Sequence, residues 1–397
     1  MRILFINQYF PPDASNSAYM LGELAEDLAR FHDVQVLAGS PSYNAGSTTF
    51  RPVGVDVVRV RSTTFDRASI AGRLINYATF SGCAAVRACW LRRPDLVVAM
   101  TDPPIIGLVG LVAAKRYRRP LVQISHDVYP DIAVALGRMR SSLLVRLWRS
   151  MNRLVRSSAE SIIVVGRDMR ERLVADSVDP AKIEVIPTWA SPQAVDAATR
   201  AATRRAMKWD DAFVVMHAGN AGLAQNLGVL LDAAYELRDD HGIVVVILGD
   251  GAAKAAMQER AARDGLANIV FLAHRPKDEA QALMQAADLH VVTLVPGLWG
   301  CATPSKTYGI MAAGRPFVAV VDAGSEPARI VDDFDCGEYV RAGDGAGLAA
   351  AIRRLRHSEL DEAGQRALVA FRDHYTRDSA TRATQAHLER VVQRSSR

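Results

Sequence analysis

The sequence has little cysteine, little lysine and no long apolar run. Its four cysteines, Cys83, Cys89, Cys301 and Cys336, form no CxxC pair and no ladder with histidine. This argues against a zinc site or a disulfide framework and suits a reducing compartment. The longest apolar run, at 103–114, is too short to span a bilayer, and the first residues lack the charged and apolar regions of a signal peptide. We therefore expect a cytoplasmic protein.

Charge is unevenly distributed along the 397 residues. Residues 1–190 carry 24 Lys+Arg against 17 Asp+Glu, whereas the remainder carries 24 against 26, and only six of all these basic residues are lysines. A basic first half indicates an anionic surface or an anionic substrate. With 49% hydrophobic residues, the chain can build two domains with large cores.

Apolar runs alternate with helical patterns in two successive sets. The first set predicts strands at 2–7, 34–39, 55–60, 95–100, 120–125, 161–166 and 183–187, and the second at 213–220, 243–251, 269–274, 289–294 and 316–321. Such alternation is typical of parallel sheets covered on both faces. The predicted fold class is α/β, with two doubly wound Rossmann-like domains facing across a cleft. We expect one domain at 1–190 and a second domain at 191–375, with a helix at about 376–397 packing back on the first.

Ligands of doubly wound sheets bind beyond the carboxyl ends of the strands. After the first strand, Asp13 and Ser15 belong to a loop that either caps the next helix or presents backbone amides to a sugar or phosphate. After the strand at 120–125, His126 and Asp127 precede a proline. An imidazole suits a hydrogen bond to a sugar hydroxyl, and Asp127 could accept a proton from an acceptor hydroxyl, although a lone histidine is more often structural.

The second half offers further loop residues at the same strand ends. Gly222 and Gly249 allow close backbone approach, although glycine at a strand-to-helix turn is also common for steric reasons. Asn220 and Gln225 belong to the first of these turns, and His274 ends a strand where backbone groups could bind a base edge.

The segment CATPSKTYGIMAAGRP at 301–316 places a lysine at the start of a small-residue helix. Thr303 is predicted as the N-cap and Pro304 as the first helical residue. Positive charge at Lys306 adds to the positive end of the helix dipole, so this arrangement suits a bound anion such as a diphosphate, held with Ser305. The alternative is a solvated lysine. Further on, Glu326 is either a helix-start carboxylate or an acceptor for a ribose or sugar hydroxyl.

Six segments spread in order over nearly the whole chain carry a family resemblance. They read NQYFPPD, RRPDLVVAMTDPP, HDVYPDIAVALG, GNAGLAQN, LGDGA and PSKTYGIMAAGRP. Together they resemble the retaining, GT-B-fold glycosyltransferases of family 4, and within them the bacterial polysaccharide branch that includes L-fucosamine transferases. The resemblance implies transfer of a sugar from a nucleotide diphosphate sugar, UDP-linked in this expectation, with no metal and no other cofactor. It also implies a donor site in the second domain and a lipid-linked or glycan acceptor, as in O-antigen or capsule synthesis, in the first.

The chain departs from the family pattern at the donor site. The E-x7-E pair of the broad family falls at Cys301 and Gly309, and the family's Arg and Lys fall at Asn220 and Gln225. Lys306 is therefore the natural replacement for phosphate binding, and Glu326 a replacement for hydroxyl recognition. No DxD sequence follows a strand, which fits a metal-independent enzyme.

Two basic segments bear on the acceptor. In 141–157, a helical pattern puts four arginines on the face opposite Leu144, Trp148, Met151 and Val155; these are Arg146, Arg149, Arg153 and Arg156. From 67 to 94 there is no acid, and the basic residues are Arg67, Arg73, Arg87, Arg92 and Arg93. Either these are solvated helices, or they contact anionic lipid headgroups at the inner face of the cytoplasmic membrane, where each arginine adds about 1 kcal/mol. No feature indicates a nucleic-acid partner.

Two other functions remain open from the sequence. A GT-B-type nucleotide-sugar epimerase would need several carboxylates in the cleft, for which the candidates are Asp13, Asp127, Asp131 and Glu326. A non-catalytic nucleotide-sugar-binding protein is consistent with the missing E-x7-E pair.

Overall fold

The computed structural model describes residues 1–13, 15–41, 50–65, 70–140 and 142–395, without the side chains of residues 70 and 71. Arg67 of the basic segment at 67–94, Ser141 of the segment at 141–157 and the last two residues of the predicted helix at 376–397 lie outside the described residues.

The first half forms a seven-stranded parallel sheet in the order β3-β2-β1-β4-β5-β6-β7. Its elements are β1 Arg2–Ile6, α1 Asn16–Ala29, β2 Asp33–Ala38, β3 Asp56–Arg59, α2 Ile70–Ala88, β4 Leu96–Ala99, α3 Ile106–Tyr117, β5 Leu121–Ser125, α4 Asp131–Ala135, α5 Leu143–Ser158, β6 Ser161–Val164, α6 Arg167–Ala175 and β7 Ile183–Val185. All seven strands predicted in this half are confirmed.

The second half forms a six-stranded parallel sheet in the order β10-β9-β8-β11-β12-β13. Its elements are α7 Ala197–Met207, β8 Phe213–Ala218, α8 Gly228–Glu236, β9 Ile243–Leu248, α9 Lys254–Arg263, β10 Ile269–Leu272, α10 Lys277–Ala286, β11 Leu289–Thr293, α11 Lys306–Ala312, β12 Phe317–Val321, α12 Glu326–Phe334, β13 Gly337–Arg341, α13 Gly345–Leu355, α14 Leu360–His374 and α15 Arg377–Ser395. The five predicted strands are confirmed. The sixth, β13, was not predicted, because its sequence GEYVR has charges at two positions and only Val340 is buried.

Helices cover both faces of the first sheet. One face packs against α2, α3, α5 and α6 through a core that includes Phe80, Val109 and Val155. The other face packs against α1 and α15, with Leu21, Leu388 and Val391 in the interface. The second sheet is covered in the same way, by α8 and α13 on one face and by α10 on the other. Because both sheets are parallel and covered on both faces, the predicted α/β architecture is confirmed.

Several contacts join the two halves around the carboxyl ends of their sheets. Asp127, just after β5, forms an antiparallel bridge with Ala302, and the Val128 amide donates to the Cys301 carbonyl at 2.8 Å. Helix α15 returns from the second half and packs on α1, where Arg377 binds the Asp27 carboxylate at 2.7 Å. These contacts fix the loops that follow the strands on opposite sides of one cleft.

Helix α5 presents a different face from the one predicted. Val145 and Val155 are buried, but Leu144 is 69% exposed, together with Leu143 and Leu147. The arginine stripe is also divided: Arg146 and Arg153 are exposed, whereas Arg149 bonds to Asp131 at 2.6 Å and Arg156 is buried beside Asp176. The helix is rotated so that Arg156 packs inward with Val145. A leucine stripe (Leu143, Leu144, Leu147 and Leu154) therefore faces outward beside the exposed Arg146 and Arg153.

Candidate active site

A cavity of about 630 Å³ lies between the two halves, at the loops that follow their strands. Five of the residues predicted from the sequence line it, one on the wall of the first half and four on the wall of the second; they are Asp127, Asn220, Gln225, Ser305 and Lys306. The cavity therefore lies where ligands of doubly wound sheets bind.

Lys306 begins helix α11, with Ser305 as its N-cap. The N-cap was predicted at Thr303 with Pro304 as the first helical residue, and the helix begins two residues later. A turn precedes it, in which the Thr307 amide donates to the Pro304 carbonyl at 3.1 Å. The lysine side chain passes over the backbone of Gly219, where an added Cβ would lie 3.8 Å from Nζ. Burial lowers the pKa of Lys306 to about 7. The ammonium is therefore held at the cavity wall with little solvent to stabilise its charge.

His217 is the hydrogen-bond partner of Lys306. It lies on β8, fully buried, with Nε2 3.0 Å from Lys306 Nζ and Nδ1 3.3 Å from the Val291 carbonyl oxygen. Burial, followed by the nearby Lys306 charge, keeps the pKa of His217 well below its usual range. The imidazole is thus neutral and can accept from the lysine. This residue was not predicted, since a histidine inside an apolar strand gives no signal of function.

Neutral amides stand where the family carries its cations. The Asn220 and Gln225 side chains flank Gly222, at which an added Cβ would lie 2.9 Å from an atom of each. A side chain at 222 would push the ends of both amide side chains aside, so glycine leaves them in their positions beside the cavity. Gly222 itself is not part of the cavity wall.

Gly249 and His274 do not reach the cavity wall either. Gly249 has a φ of +131°, and an added Cβ would lie 2.1 Å from the Gly219 carbonyl oxygen, so glycine is needed for the two turns to pack. His274 is exposed, and its amide donates to the Asp250 carboxylate at 2.9 Å. Both residues support loops beside the site in this structure.

Glu326 lies between the two halves and not in the cavity. The residue is 3% exposed, and its carboxylate accepts from the Arg167 amide at 2.7 Å and from the Arg167 guanidinium at 3.0 Å. The expected role as an acceptor for a ribose or sugar hydroxyl does not fit this position, because Arg167 already binds both carboxylate oxygens. Sequence spacing could not reveal a partner 159 residues away.

Asp127 forms the acidic part of the opposite wall. Burial, and then the neighbouring Asp102 charge, raise the pKa of Asp127 to about 7. The Asp102 carboxylate in turn accepts from Ser17 Oγ at 2.5 Å. A carboxyl group that titrates near neutrality and faces the cavity can exchange a proton with a hydroxyl bound there.

His126 points away from the wall that its neighbour lines. It borders a small apolar pocket with Met20, Met100 and Thr384, and burial lowers the pKa of His126 to about 4. The imidazole is therefore uncharged at neutral pH, and its predicted contact with a sugar stays a prediction.

Asp13 and Ser15 accept hydrogen bonds from backbone amides in and after the first loop. Ser15 is the N-cap of α1 and accepts from the Ala18 amide at 3.2 Å. Asp13 is 1% exposed and accepts from the Phe10 amide at 3.3 Å. Of the two interpretations, capping and loop packing describe this structure, because neither residue lines the cavity.

The two residues at the positions of the family's E-x7-E pair, Cys301 and Gly309, have different surroundings from each other. Cys301 is buried, and burial raises the pKa of its thiol to about 11, so it is uncharged. Gly309 lines the cavity and has open space at its Cβ position, the nearest atom being 3.8 Å away on Met284. The wall therefore has room at 309 for a group of the ligand where the family places a carboxylate.

Further polar residues line the cavity without having been predicted. Trp189 Nε1 donates to the Glu23 carboxylate at 2.6 Å, and Lys277 Nζ donates to Ser191 Oγ at 2.9 Å. Lys277 begins α10, three residues after the strand end at 274, and this position just beyond a strand end was the signal that could have found it. Glu23 and Trp189 meet only through the tertiary fold.

None of the helices in the described part of the chain is both long and apolar enough to cross a bilayer.

Comparison with known proteins identifies the two halves. Residues 17–189 match the model of the "Glycosyl transferase 4-like domain", and residues 212–358 match that of "Glycosyl transferases group 1". The protein named "Probable glycosyltransferase WbjE" of Pseudomonas aeruginosa is 30% identical over 277 residues, 69% of this chain and 69% of that protein. The "Putative colanic acid biosynthesis glycosyl transferase WcaI" of Escherichia coli K12 is 23% identical over 84% of this chain and 86% of its own length.

The fold also has solved counterparts. The crystal structure of HepE from Anabaena in complex with UDP and glucose superposes with a TM-score of 0.75 at 18% identity, covering 98% of this chain and 99% of that one. At this identity the likeness concerns the fold, which is that of two Rossmann-like domains facing across a cleft. With both halves matched and a relative at 30% identity, the chain belongs to the GT-B glycosyltransferases that combine a glycosyl transferase 4-like domain with a group 1 domain.

Proposed function

We propose that this protein transfers a sugar from a UDP-linked donor to a lipid-linked or glycan acceptor in cell-surface polysaccharide synthesis. The observation that carries the proposal is the cavity in which a buried lysine faces an acidic wall across the cleft. A relative named for colanic acid synthesis and a fold neighbour crystallised with UDP and glucose support the polysaccharide product and the donor class.

The donor diphosphate is proposed to bind at Lys306. Charge-assisted hydrogen bonds to phosphate contribute about 1.5–3 kcal/mol each, and Lys306 supplies the cation that is missing at Asn220 and Gln225. The amides of those two residues can still donate to phosphate or ribose oxygens. No metal ion is required in this scheme, because the lysine carries the charge that a divalent ion would otherwise supply.

The transfer is proposed to proceed with retention at the anomeric carbon. The acceptor oxygen attacks on the same face from which the phosphate leaves, so the new C–O bond forms where the old one breaks. The hydroxyl proton passes to an oxygen of the leaving phosphate, and Asp127 holds and polarises the hydroxyl from the opposite wall. Closure of the cleft excludes water that would otherwise hydrolyse the donor.

The acceptor is proposed to arrive from an anionic membrane surface at the inner face of the cytoplasmic membrane. The leucine stripe of α5 stands beside Arg146 and Arg153, a combination that suits the boundary between headgroups and acyl chains. On its inner side, Trp148 stacks on Tyr129 at 6.2 Å, and Asn152 donates to the Tyr129 carbonyl at 2.6 Å. Since Tyr129 also lines the cavity, one helix links the proposed membrane surface to the reacting site.

An epimerase would need several carboxylates in the cavity, and three of the four candidates are placed elsewhere. Asp13 is buried in its loop, Asp131 pairs with Arg149 at 2.6 Å, and Glu326 pairs with Arg167. Of the four candidates, Asp127 alone lines the cavity.

The function is tested by incubating the protein with a panel of UDP-sugars, with and without a polyprenyl-diphosphate-linked glycan. We expect UDP release that depends on the acceptor, that survives EDTA, and that gives a product with the anomeric configuration of the donor by NMR. A new sugar isomer without acceptor would establish the epimerase instead. Binding of UDP-sugars with no turnover on any acceptor would establish a binding protein.

A further inference from the structure

We propose that His217 positions the Lys306 ammonium for the donor diphosphate, and that nucleotide binding draws a proton from solvent onto this lysine. The inference rests on the proposed function, since it takes the ligand of Lys306 to be the phosphate groups of a nucleotide.

The hydrogen-bond geometry fixes the role of each nitrogen. A carbonyl oxygen can only accept, so the 3.3 Å contact between His217 Nδ1 and the Val291 oxygen places the imidazole proton on Nδ1. The lone pair of Nε2 is then free to accept from Lys306 Nζ at 3.0 Å. Among the described residues, this nitrogen is the only hydrogen-bond partner recorded for Nζ. An ammonium has three donors, which leaves two for a ligand in the cavity that Lys306 lines.

A neutral imidazole suits this task better than the alternatives. An apolar side chain at 217 would leave a buried lysine without an acceptor. A carboxylate would neutralise the ammonium permanently and would repel the diphosphate. The histidine satisfies one donor and fixes the direction of the side chain, while the positive charge remains for the ligand.

The charged and titratable groups around the pair are few. On the neighbouring strand β11, His290 pairs with Met216 and therefore lies on the opposite face of the sheet from His217. From the loop after β8, a hydrogen bond to the Asn220 backbone raises the pKa of His217. Across the cavity, the acidic wall residues are Glu23, held by Trp189, and Asp127. His290 is itself kept neutral by burial, which lowers its pKa to about 4. Lys306 is thus the group of this pair that titrates near neutrality.

The sign of the linkage follows from these groups. In the empty site the pKa of Lys306 is about 7, so at pH 8 most molecules hold a neutral amine. A bound diphosphate favours the ammonium and raises that pKa. Each binding event above pH 7 therefore takes up a proton, and the affinity for UDP weakens by roughly tenfold per pH unit until the pKa of the bound state is reached.

The experiment is calorimetric titration of UDP into the full-length protein at pH 7, 8 and 9. Each titration is done in two buffers of different ionisation enthalpy, because the difference in apparent heat counts the protons taken up. We expect uptake to approach one proton per UDP at pH 8, and none for uridine. This measurement on the unmodified protein does not depend on any variant folding.

Variants separate a positioning role from a structural one. His217→Ala should weaken UDP binding about tenfold and leave uridine binding unchanged, whereas His217→Gln, which keeps an acceptor, should recover much of the loss. His290→Gln is the matched control, since His290 is equally buried on the neighbouring strand and contacts the Met284 carbonyl instead of the lysine. It should bind both ligands as the unmodified protein does.

The outcomes distinguish this inference from the function on which it rests. UDP binding without proton uptake, or equal UDP affinity for His217→Ala and the unmodified protein, would overturn the role of His217 and leave the transferase intact. Failure of the unmodified protein to bind UDP or any other nucleoside diphosphate would overturn the proposed donor class itself, and the inference with it.

Discussion

Lys306 is the residue on which donor binding is expected to depend most. Lys306→Ala removes one ionic partner of the diphosphate, so UDP binding should lose about 1.5–3 kcal/mol, or roughly ten- to a hundredfold in affinity. Uridine affinity should barely change, because uridine has no phosphate group for the ammonium to bind. Lys306→Arg should rescue only partly, since a planar fork does not replace a point charge in a packed wall.

Calorimetric titration of both ligands into the three proteins measures these effects. If UDP and uridine weaken by the same factor, Lys306 supports the fold of the loop and not the phosphate.

Asp127 should give the reaction an acidic limb near neutrality. Because burial and Asp102 raise the pKa of Asp127 to about 7, turnover that needs its carboxylate should rise with pH through that value. The measurement is the pH profile at saturating donor with varied acceptor, so that titration of Lys306 does not contribute. Asp127→Asn should remove the limb and lower turnover by about a hundredfold or more.

Asp102→Asn is the control for the cause of this shift. Removing the neighbouring charge should move the limb to lower pH without abolishing activity; an unmoved limb would assign it to another group. Stability gives a second check. A carboxyl with a raised pKa in the folded state lowers the free energy of unfolding as the pH rises above its pKa in the unfolded state, and the loss is complete above its folded pKa. Asp127→Asn should therefore be more stable than the unmodified protein at pH 8 and nearly equal to it at pH 4.

His126 carries a prediction that comes from the sequence alone. If it contacts the transferred sugar in the transition state, His126→Ala should lower kcat by about tenfold or more and change UDP affinity little. Since its pKa is about 4, it should add no limb to the pH profile between pH 5 and 9. Equal losses in kcat and in UDP affinity would indicate that the side chain only packs against Met20 and its neighbours.

Residue types and loop positions were sufficient to predict Asp127, Asn220, Gln225, Ser305 and Lys306 at the cavity. They were not sufficient for Glu326, whose direction is set by Arg167 on the other half of the molecule. His217 was not predicted, because its strand has the apolar sequence of a buried core strand. Its proposed role depends on the place where β8 passes under Lys306, which only the tertiary fold shows. A sequence pattern indicates which loops meet, while the partner of each side chain depends on the tertiary fold.

At the scale of elements, α5 is the helix whose surface is least explained by packing. Arg146→Gln with Arg153→Gln should weaken binding to anionic vesicles by about 2 kcal/mol at low salt, or roughly thirtyfold, and by less at moderate salt. Replacing Leu143, Leu147 and Leu154 by serine should weaken binding at both salt concentrations, because apolar insertion is not screened. Sedimentation with anionic and zwitterionic vesicles measures both.

The matched control for α5 replaces two exposed arginines elsewhere, Arg263 and Arg382, by glutamine. Unchanged sedimentation of the α5 variants relative to this control would leave α5 a solvated helix. The helical pattern had located the arginines but not the orientation of the helix, since apolar residues occupy more of its circumference than the packed face needs.

Helices α6 and α12 hold the two halves together through ion pairs of unequal burial, and Arg167 also pairs with Asp333, whose side chain is 43% exposed. Arg167 binds Glu326, whose side chain is 4% exposed, whereas Arg329 binds Glu171, whose side chain is 46% exposed. Arg167→Met should lower the free energy of unfolding by about 2 kcal/mol, less than for a fully buried pair because Arg167 remains 39% exposed. Arg329→Met should cost about 0–1 kcal/mol.

Urea unfolding of both variants, and of Arg167→Met combined with Glu326→Leu, makes the comparison. The double variant should be more stable than Arg167→Met alone, since it no longer buries an unpaired carboxylate. A single Arg167 variant as stable as the Arg329 variant would contradict the assignment of burial as the cause.

At the scale of the whole molecule, the architecture was the part most accessible from sequence. Two sets of β-branched runs separated by helices require two parallel sheets, and the chain order of strands then limits each sheet to very few arrangements. The edge strand β13 was not predicted, because Glu338 and Arg341 interrupt its apolar pattern. The contacts between the two halves were not predicted either, because no local sequence pattern indicates the bridge between Asp127 and Ala302.

The return of α15 to the first half has a consequence for synthesis. A ribosome releases the strands of the first sheet long before it makes α15, whose Leu388 and Val391 cover one face of that sheet and whose Arg377 pairs with Glu23, Glu26 and Asp27 on α1. The first sheet to emerge is thus completed after the second, whose elements are contiguous in the chain. Until then, the nascent chain exposes the apolar part of the first sheet that α15 later covers, and a chaperone can bind there.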